Sequence, residues 1–115
     1  FVEKDRNRAE LIKKNAQALG IAECCNVFTK DIRSFIESSI DYYDFIFYDP
    51  PYDNEELKTF VLPLRKRLTD TGILLYESRY LRKQNKTEPD NSAGSPVETR
   101  IFGDTVVTFF NKASE

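Results

Sequence analysis

Four consecutive apolar residues, Phe45-Ile46-Phe47-Tyr48, run without a polar break into Asp49-Pro50-Pro51-Tyr52. A short apolar run with no polar face reads as a parallel strand buried on both sides. The prolines that follow have no N–H to give a sheet ladder, so the strand has to stop at Asp49. They also stiffen the backbone and leave carbonyl oxygens free to accept, between an acidic side chain and an aromatic ring. In a parallel sheet, ligands collect beyond the carboxyl ends of the strands. The segment 49–52 is therefore a rigid, acceptor-rich candidate site.

The surrounding pattern alternates helix and strand, which points to an α/β sheet with crossover helices. Asp5 is placed to cap a helix with an apolar stripe of Ala9, Ile12, Ala16 and Leu19. Arg6–Glu10 and Glu10–Lys14 are expected ion pairs on its wet face, and Gly20 its left-handed stop. Residues 25–29 read as a short strand, and Ile32, Phe35, Ile36 and Ile40 as one face of a second helix. A third helical pattern runs through Leu57, Phe60, Val61, Leu64 and Leu68, capped by Asn54 and kinked or broken at Pro63. Residues 69–72 turn the chain into a second buried strand, 73–77. A polar stretch over 79–96 is too long for an ordinary connection and is expected to be a mobile or functional loop. Strands over 97–102 and 105–110 close the chain, joined at Gly103-Asp104 in a type II′ turn. The expectation is one domain over 1–115.

Several classes fall away on composition. With no His, the chain lacks the commonest acid–base residue and metal ligand. A net charge of −2 excludes a uniformly basic nucleic-acid coat but not a local basic patch. The adjacent Cys24 and Cys25 match no spaced zinc pattern and read as two small buried apolar residues in a reducing cytoplasm. No metal is expected, and no apolar run is long enough for a membrane span. The chain opens on Phe1 and contains no Met, so it reads as a piece of a longer protein, with Phe1-Val2-Glu3 as the end of a buried strand.

An Asp-Pro-Pro-Tyr segment directly after a buried strand resembles the S-adenosylmethionine-dependent amino-methyltransferases, whose motif at this place in a Rossmann-like sheet is Asp/Asn-Pro-Pro-aromatic. More narrowly, the chain resembles the bacterial enzymes that methylate guanine N2 in small-subunit ribosomal RNA. The likeness runs from Phe1-Val2-Glu3 through the segment 45–52 to Leu75-Tyr76-Glu77-Ser78 and the final hairpin. It implies a mostly parallel sheet with an antiparallel C-terminal hairpin, the first strand and glycine-rich cofactor loop lying outside this chain. Taken alone, the chain is then expected to hold S-adenosylmethionine poorly and to be inactive. The resemblance makes Asp49, Pro50, Pro51 and Tyr52 the catalytic residues. It assigns Glu3 to the ribose hydroxyls of the cofactor, and Asp31 with Ile32 to its adenine.

Each assignment has a plainer counterpart. Glu3 also reads as a solvated loop carboxylate, and Asp31 as a helix cap, which does not exclude a cofactor role. Arg65-Lys66-Arg67 is most simply the solvated face of a helix. Arg79, Arg82, Lys83 and Lys86 lie in the loop beyond Glu77, on the rim expected to carry Asp49, where phosphate contact competes with mere solubility. The expected partner is ribosomal RNA or a ribosomal assembly particle. Asp favours guanine, whose pairing edge offers two neighbouring donors that an ionised carboxylate accepts; Asn better matches adenine. A DNA adenine-N6 methyltransferase and a non-catalytic nucleic-acid-binding domain of the same fold are the rival readings.

Overall fold

A computed structural model describes residues 1–52, 54–79 and 91–113. The chain forms two compact units, Phe1–Ile40 and Asp41–Glu115.

In the first unit, α1 (Arg6–Ala18) starts where Asp5 accepts from the Arg8 N–H at 2.9 Å. It stops before Gly20, whose φ of 73° is left-handed as expected. Ala9 and Ala16 of the expected stripe are buried, but Leu19 is the C-cap and is 73% exposed. Glu10 pairs with Lys13 at 3.2 Å rather than with the residues at i±4. The strand expected over 25–29 is reduced to a single parallel bridge between Val2 and Phe28. The chain before it is taken up by a 3₁₀ turn, Ala22–Cys24, which leaves Cys24 exposed and Cys25 half-buried instead of both in a core. α2 (Ile32–Ser38) ends sooner than its apolar pattern. The Ser38 hydroxyl donates back to the Ser34 carbonyl at 2.8 Å, and Ile40 lies beyond the helix, 84% exposed.

The second unit is a four-stranded sheet in the order β1-β2-β4-β3: β1 (Tyr43–Tyr48), β2 (Leu68–Arg79), β3 (Glu98–Phe102) and β4 (Thr105–Asn111). β1 and β2 are parallel, and the hairpin adds the antiparallel pairs β2–β4 and β3–β4. The fold is thus the expected mixed α/β sheet, although only one pairing within this unit is parallel. β1 stands at the edge of this sheet and is covered on one face only, which corrects the expectation of a strand buried on both faces. Ile46 and Tyr48 share a face with Leu74 and Phe110 in the paired register, and Tyr48, Leu74 and Phe110 are buried there. Phe45 and Phe47 alternate to the other face and stay 58% and 56% exposed.

The third helical pattern splits into a 3₁₀ segment, Glu55–Phe60, and α3 (Val61–Arg65). Asn54 caps the first, accepting from the Glu56 N–H at 3.0 Å. Pro63 falls in the first turn of α3, where its missing N–H costs nothing; a continuous helix would have lost that bond. Residues 69–72 are an irregularity inside β2, between the pairs Tyr43–Leu68 and Phe45–Ile73, so the strand begins earlier than expected. Gly72 permits it: a Cβ there would meet the Tyr43 carbonyl oxygen at 2.9 Å. The hairpin turns at Gly103 with φ of 60°, and Asp104 has no positive φ, which selects type II′ over I′.

Arg65 overturns a reading. It is 6% exposed, and its guanidinium donates to the carbonyls of Asn111 at 2.9 Å and Ala93 at 2.7 Å, packed over the Phe110 ring. A cation is tolerable there because backbone acceptors replace its water. Lys66 is exposed, and Arg67 half-buried.

Candidate functional site

The carboxyl ends of β1 and β2 carry the site. Tyr48 pairs with Tyr76 in parallel register, and their rings stack at 5.7 Å. The Tyr48 hydroxyl donates to the Leu57 carbonyl at 2.6 Å, tying the end of β1 to the 3₁₀ segment. Burial, and secondarily Tyr76, push that hydroxyl's pKa well up, so it remains a neutral donor. The tie fixes the point from which residues 49–52 depart.

One residue beyond that tyrosine pair stand two acids, Asp49 and Glu77. Asp49 keeps part of its surface in solvent. Even so, partial burial, and then the Glu77 carboxylate, raise its pKa above the ordinary value. The Tyr52 ring is 48% exposed, and its hydroxyl donates to Glu77 Oε1 at 3.3 Å. Pro50, Pro51, Tyr52, Leu57, Tyr76 and Glu77 border a cavity of about 330 Å³. That lies at the small end of ligand sites, which run roughly 300–1,000 Å³. Two cations reach the same cavity. Arg79 ends β2, exposed, and Lys58 pairs with Glu55 at 2.9 Å. An exposed pair of this kind is worth only about 0.3–0.5 kcal/mol, so Lys58 can leave it for a ligand anion.

Of the segment expected to carry chemistry, Pro50, Pro51 and Tyr52 line the cavity, whereas Asp49 precedes them at the end of β1 and is not part of its lining. Glu77 is the acid that sequence reasoning passed over, and a signal for it existed: Phe47-Tyr48-Asp49 and Leu75-Tyr76-Glu77 repeat one apolar–Tyr–acid pattern at two strand ends. Arg82, Lys83 and Lys86 lie outside the described residues.

The first unit holds the other two acids. The segment ending at Glu3 runs parallel to the one ending past Phe28: the Phe28 N–H donates to Phe1, and the Glu3 N–H to Phe28. Glu3 and Asp31 both follow carboxyl ends of these segments. The Glu3 side chain is 25% exposed, faces Arg8 at 3.9 Å, and accepts weakly from the Asp5 N–H at 3.4 Å. Asp31 caps α2, accepting from the Ser34 N–H at 2.7 Å, just before Ile32 opens the helix. The Ser34 N–H, then its hydroxyl, hold the Asp31 carboxyl below the ordinary value. A carboxylate has lone pairs for several donors, and both side chains are of the type that accepts from hydroxyls or an amine. Among the described residues no group of three or more His, Cys, Asp or Glu is arranged to hold a metal, and no helix is long and apolar enough to cross a membrane.

The family described as "Conserved hypothetical protein 95" matches the chain over residues 1–111. No curated protein matches it in sequence. Among solved structures, a conserved hypothetical protein of Streptococcus pyogenes superposes with a TM-score of 0.74 at 21% identity, over 94% of this chain and 67% of that one. A proposed methyltransferase of Escherichia coli, yhhF, gives 0.74 at 22%, over 99% of this chain and 62% of that one. A proposed methylase of Haemophilus influenzae gives 0.71 at 19%, over 99% and 71%. At such identities the likeness is one of fold, and the fold is methyltransferase-like. The chain spans about two thirds of the length of these proteins.

Proposed function

The chain belongs to the conserved hypothetical protein 95 family, and from that premise we propose that the protein transfers a methyl group from S-adenosylmethionine to the exocyclic N2 amine of a guanine in ribosomal RNA. The observation that carries the reading is the segment 50–52, which follows Asp49 at the end of a parallel strand and borders a cavity together with Tyr76 and Glu77. S-adenosylmethionine supplies an electrophilic methyl; Glu3 and Asp31 suit it as acceptors for its ribose hydroxyls and adenine amine, with Ile32 beside the latter.

An aromatic exocyclic amine is a weak nucleophile because its lone pair is delocalised into the ring. Asp49, as a carboxylate, and the Pro50 carbonyl accept from its N–H groups and direct the lone pair outward. Tyr52 stacks on the base once it has left its helix, as flipped bases require. The remaining gain is orientation in a site with fixed dipoles. Lys58 and Arg79 border the cavity and, with Arg82, Lys83 and Lys86, answer the phosphates. The protein works in the cytoplasm as one methyltransferase domain on RNA or a ribosomal assembly particle.

The test is direct. The full-length protein is given labelled S-adenosylmethionine with unmodified small-subunit RNA, with assembly particles, and with DNA, and the product nucleoside is identified by mass spectrometry. N2-methylguanosine from RNA supports the reading. N6-methyladenine in DNA supports the rival enzyme, and nucleic-acid binding without transfer supports a non-catalytic domain.

A further inference from the structure

The ring that has to receive a planar base stands on a loop and half in solvent. Tyr52 is 48% exposed and follows two prolines that hold the backbone but not the side chain. The hydroxyl contact of Tyr52 crosses from the loop after β1 to the end of β2, reaching Glu77 Oε1 at 3.3 Å. Glu77 is well held, because β2 pairs on both sides at that end: Tyr76 with Tyr48 in β1, and Glu77 with Val107 in β4. A half-exposed loop ring is thus tied to a paired strand.

We propose that Glu77 is a positioning residue, which through the hydroxyl of Tyr52 holds the ring at the cavity mouth in the orientation that stacks on a base. This rests on the reading of the cavity as a site for methyl transfer to a base. A charge-assisted O–H···O⁻ contact is usually 2.5–2.7 Å, so at 3.3 Å the tie is slack. Contacts of this kind commonly tighten only when the ligand is bound. The arrangement also divides the labour of two acids: Asp49 remains free for the ligand, while Glu77 is engaged by the tyrosine. Partial burial, and after it the Glu77 carboxylate kept close by, raise the carboxyl of Asp49. The hydroxyl, which a purely stacking role would leave idle, then has a purpose.

The experiment compares Tyr52→Phe, Glu77→Ala, Glu77→Gln and the double variant Tyr52→Phe/Glu77→Ala in methyl transfer to RNA. Each of Tyr52→Phe and Glu77→Ala is expected to lower kcat/KM by about 3- to 10-fold, the worth of one hydrogen bond. The KM for S-adenosylmethionine is expected to stay unchanged. The double variant should be no worse than Glu77→Ala alone, and Glu77→Gln, which keeps an acceptor oxygen, should recover most of the loss. Additive losses overturn the proposal, and so does a Glu77→Gln variant as impaired as Glu77→Ala. A second measurement is independent of activity: relaxation of ¹³C-labelled tyrosine rings, with the Tyr52 signal assigned by its absence in Tyr52→Phe. Greater motion of that ring in Glu77→Ala supports the tie, and unchanged motion overturns it. All variants are made in the full-length protein, and a full-length wild type without methyl transfer would defeat the reading of the reaction while leaving the ring measurement to decide the tie.

Discussion

Asp31 and Asp49 each follow a strand-like segment, and each was a candidate for ligand contact, yet their surroundings act in opposite directions. Asp31 is fully exposed, but the start of α2 supplies it with the Ser34 N–H and hydroxyl, and its carboxyl is held low. Asp49 has no helix start. Two prolines follow it, with no N–H to offer, and partial burial and Glu77 hold its carboxyl high. A carboxylate satisfied by its own backbone stabilises the fold. One left partly buried beside a second acid carries a cost that a donor-bearing ligand relieves.

The severest break of this contrast is Asp49→Ala. Methyl transfer in single turnover is expected to fall roughly 100-fold or more, the scale seen when one preorganised polar group is removed from a reacting centre. Cofactor affinity by calorimetry should stay within a few-fold. Activity close to wild type would remove Asp49 from the chemistry.

Next in size is Tyr52→Ala. Loss of one base–aromatic stack costs about 1–3 kcal/mol, so this variant should be more impaired than Tyr52→Phe, which loses only the hydroxyl. Equal damage from the two would give the whole role to the hydroxyl.

A smaller effect lies in pH. Asp49 has to be ionised to accept, so methyl transfer falls in acid with a midpoint above the ordinary 3.8. The charged groups bordering the cavity are Glu55, Lys58, Glu77 and Arg79. Glu77→Gln removes the negative neighbour, lowers the Asp49 pKa, and should move the acid limb of the profile to lower pH. A limb that stays in place would show that Glu77 does not act on Asp49.

The smallest expected effect is on stability. The folded pKa of Asp31 lies below its unfolded value. Its contribution is therefore complete above the unfolded value and is lost as pH falls through the folded one. The folded pKa of Asp49 lies above its unfolded value, so its ionised form costs stability at neutral pH, and that cost disappears in acid. At pH 7, Asp31→Ala should slightly lower the melting midpoint and Asp49→Asn slightly raise it, both differences shrinking in acid. Shifts of the same sign in calorimetry would erase the contrast.

Much of this was legible in residues that act over a few positions. Asp5 before α1, Asn54 before the 3₁₀ segment, Asp31 before α2, Gly103 in the hairpin and the prolines after β1 behave as their local chemistry dictates. Each effect depends on a hydrogen bond or a steric clash within about four residues, so neighbouring sequence is enough to determine it. What tertiary structure alone decided depends on residues far apart in the chain. The apolar run of β1 specified a strand, but not which of its faces is covered, and Phe45 and Phe47 alternate to the face left exposed in this unit. Arg65 looked like a surface charge until β4 and Ala93 brought carbonyls to it across 46 and 28 residues. Glu77 joined the site only because β1 and β2 pair in a register that sets Tyr48 beside Tyr76. Strand partners, covered faces and the neighbours of a charge are settled by burial and pairing across the whole unit, which no window of sequence contains.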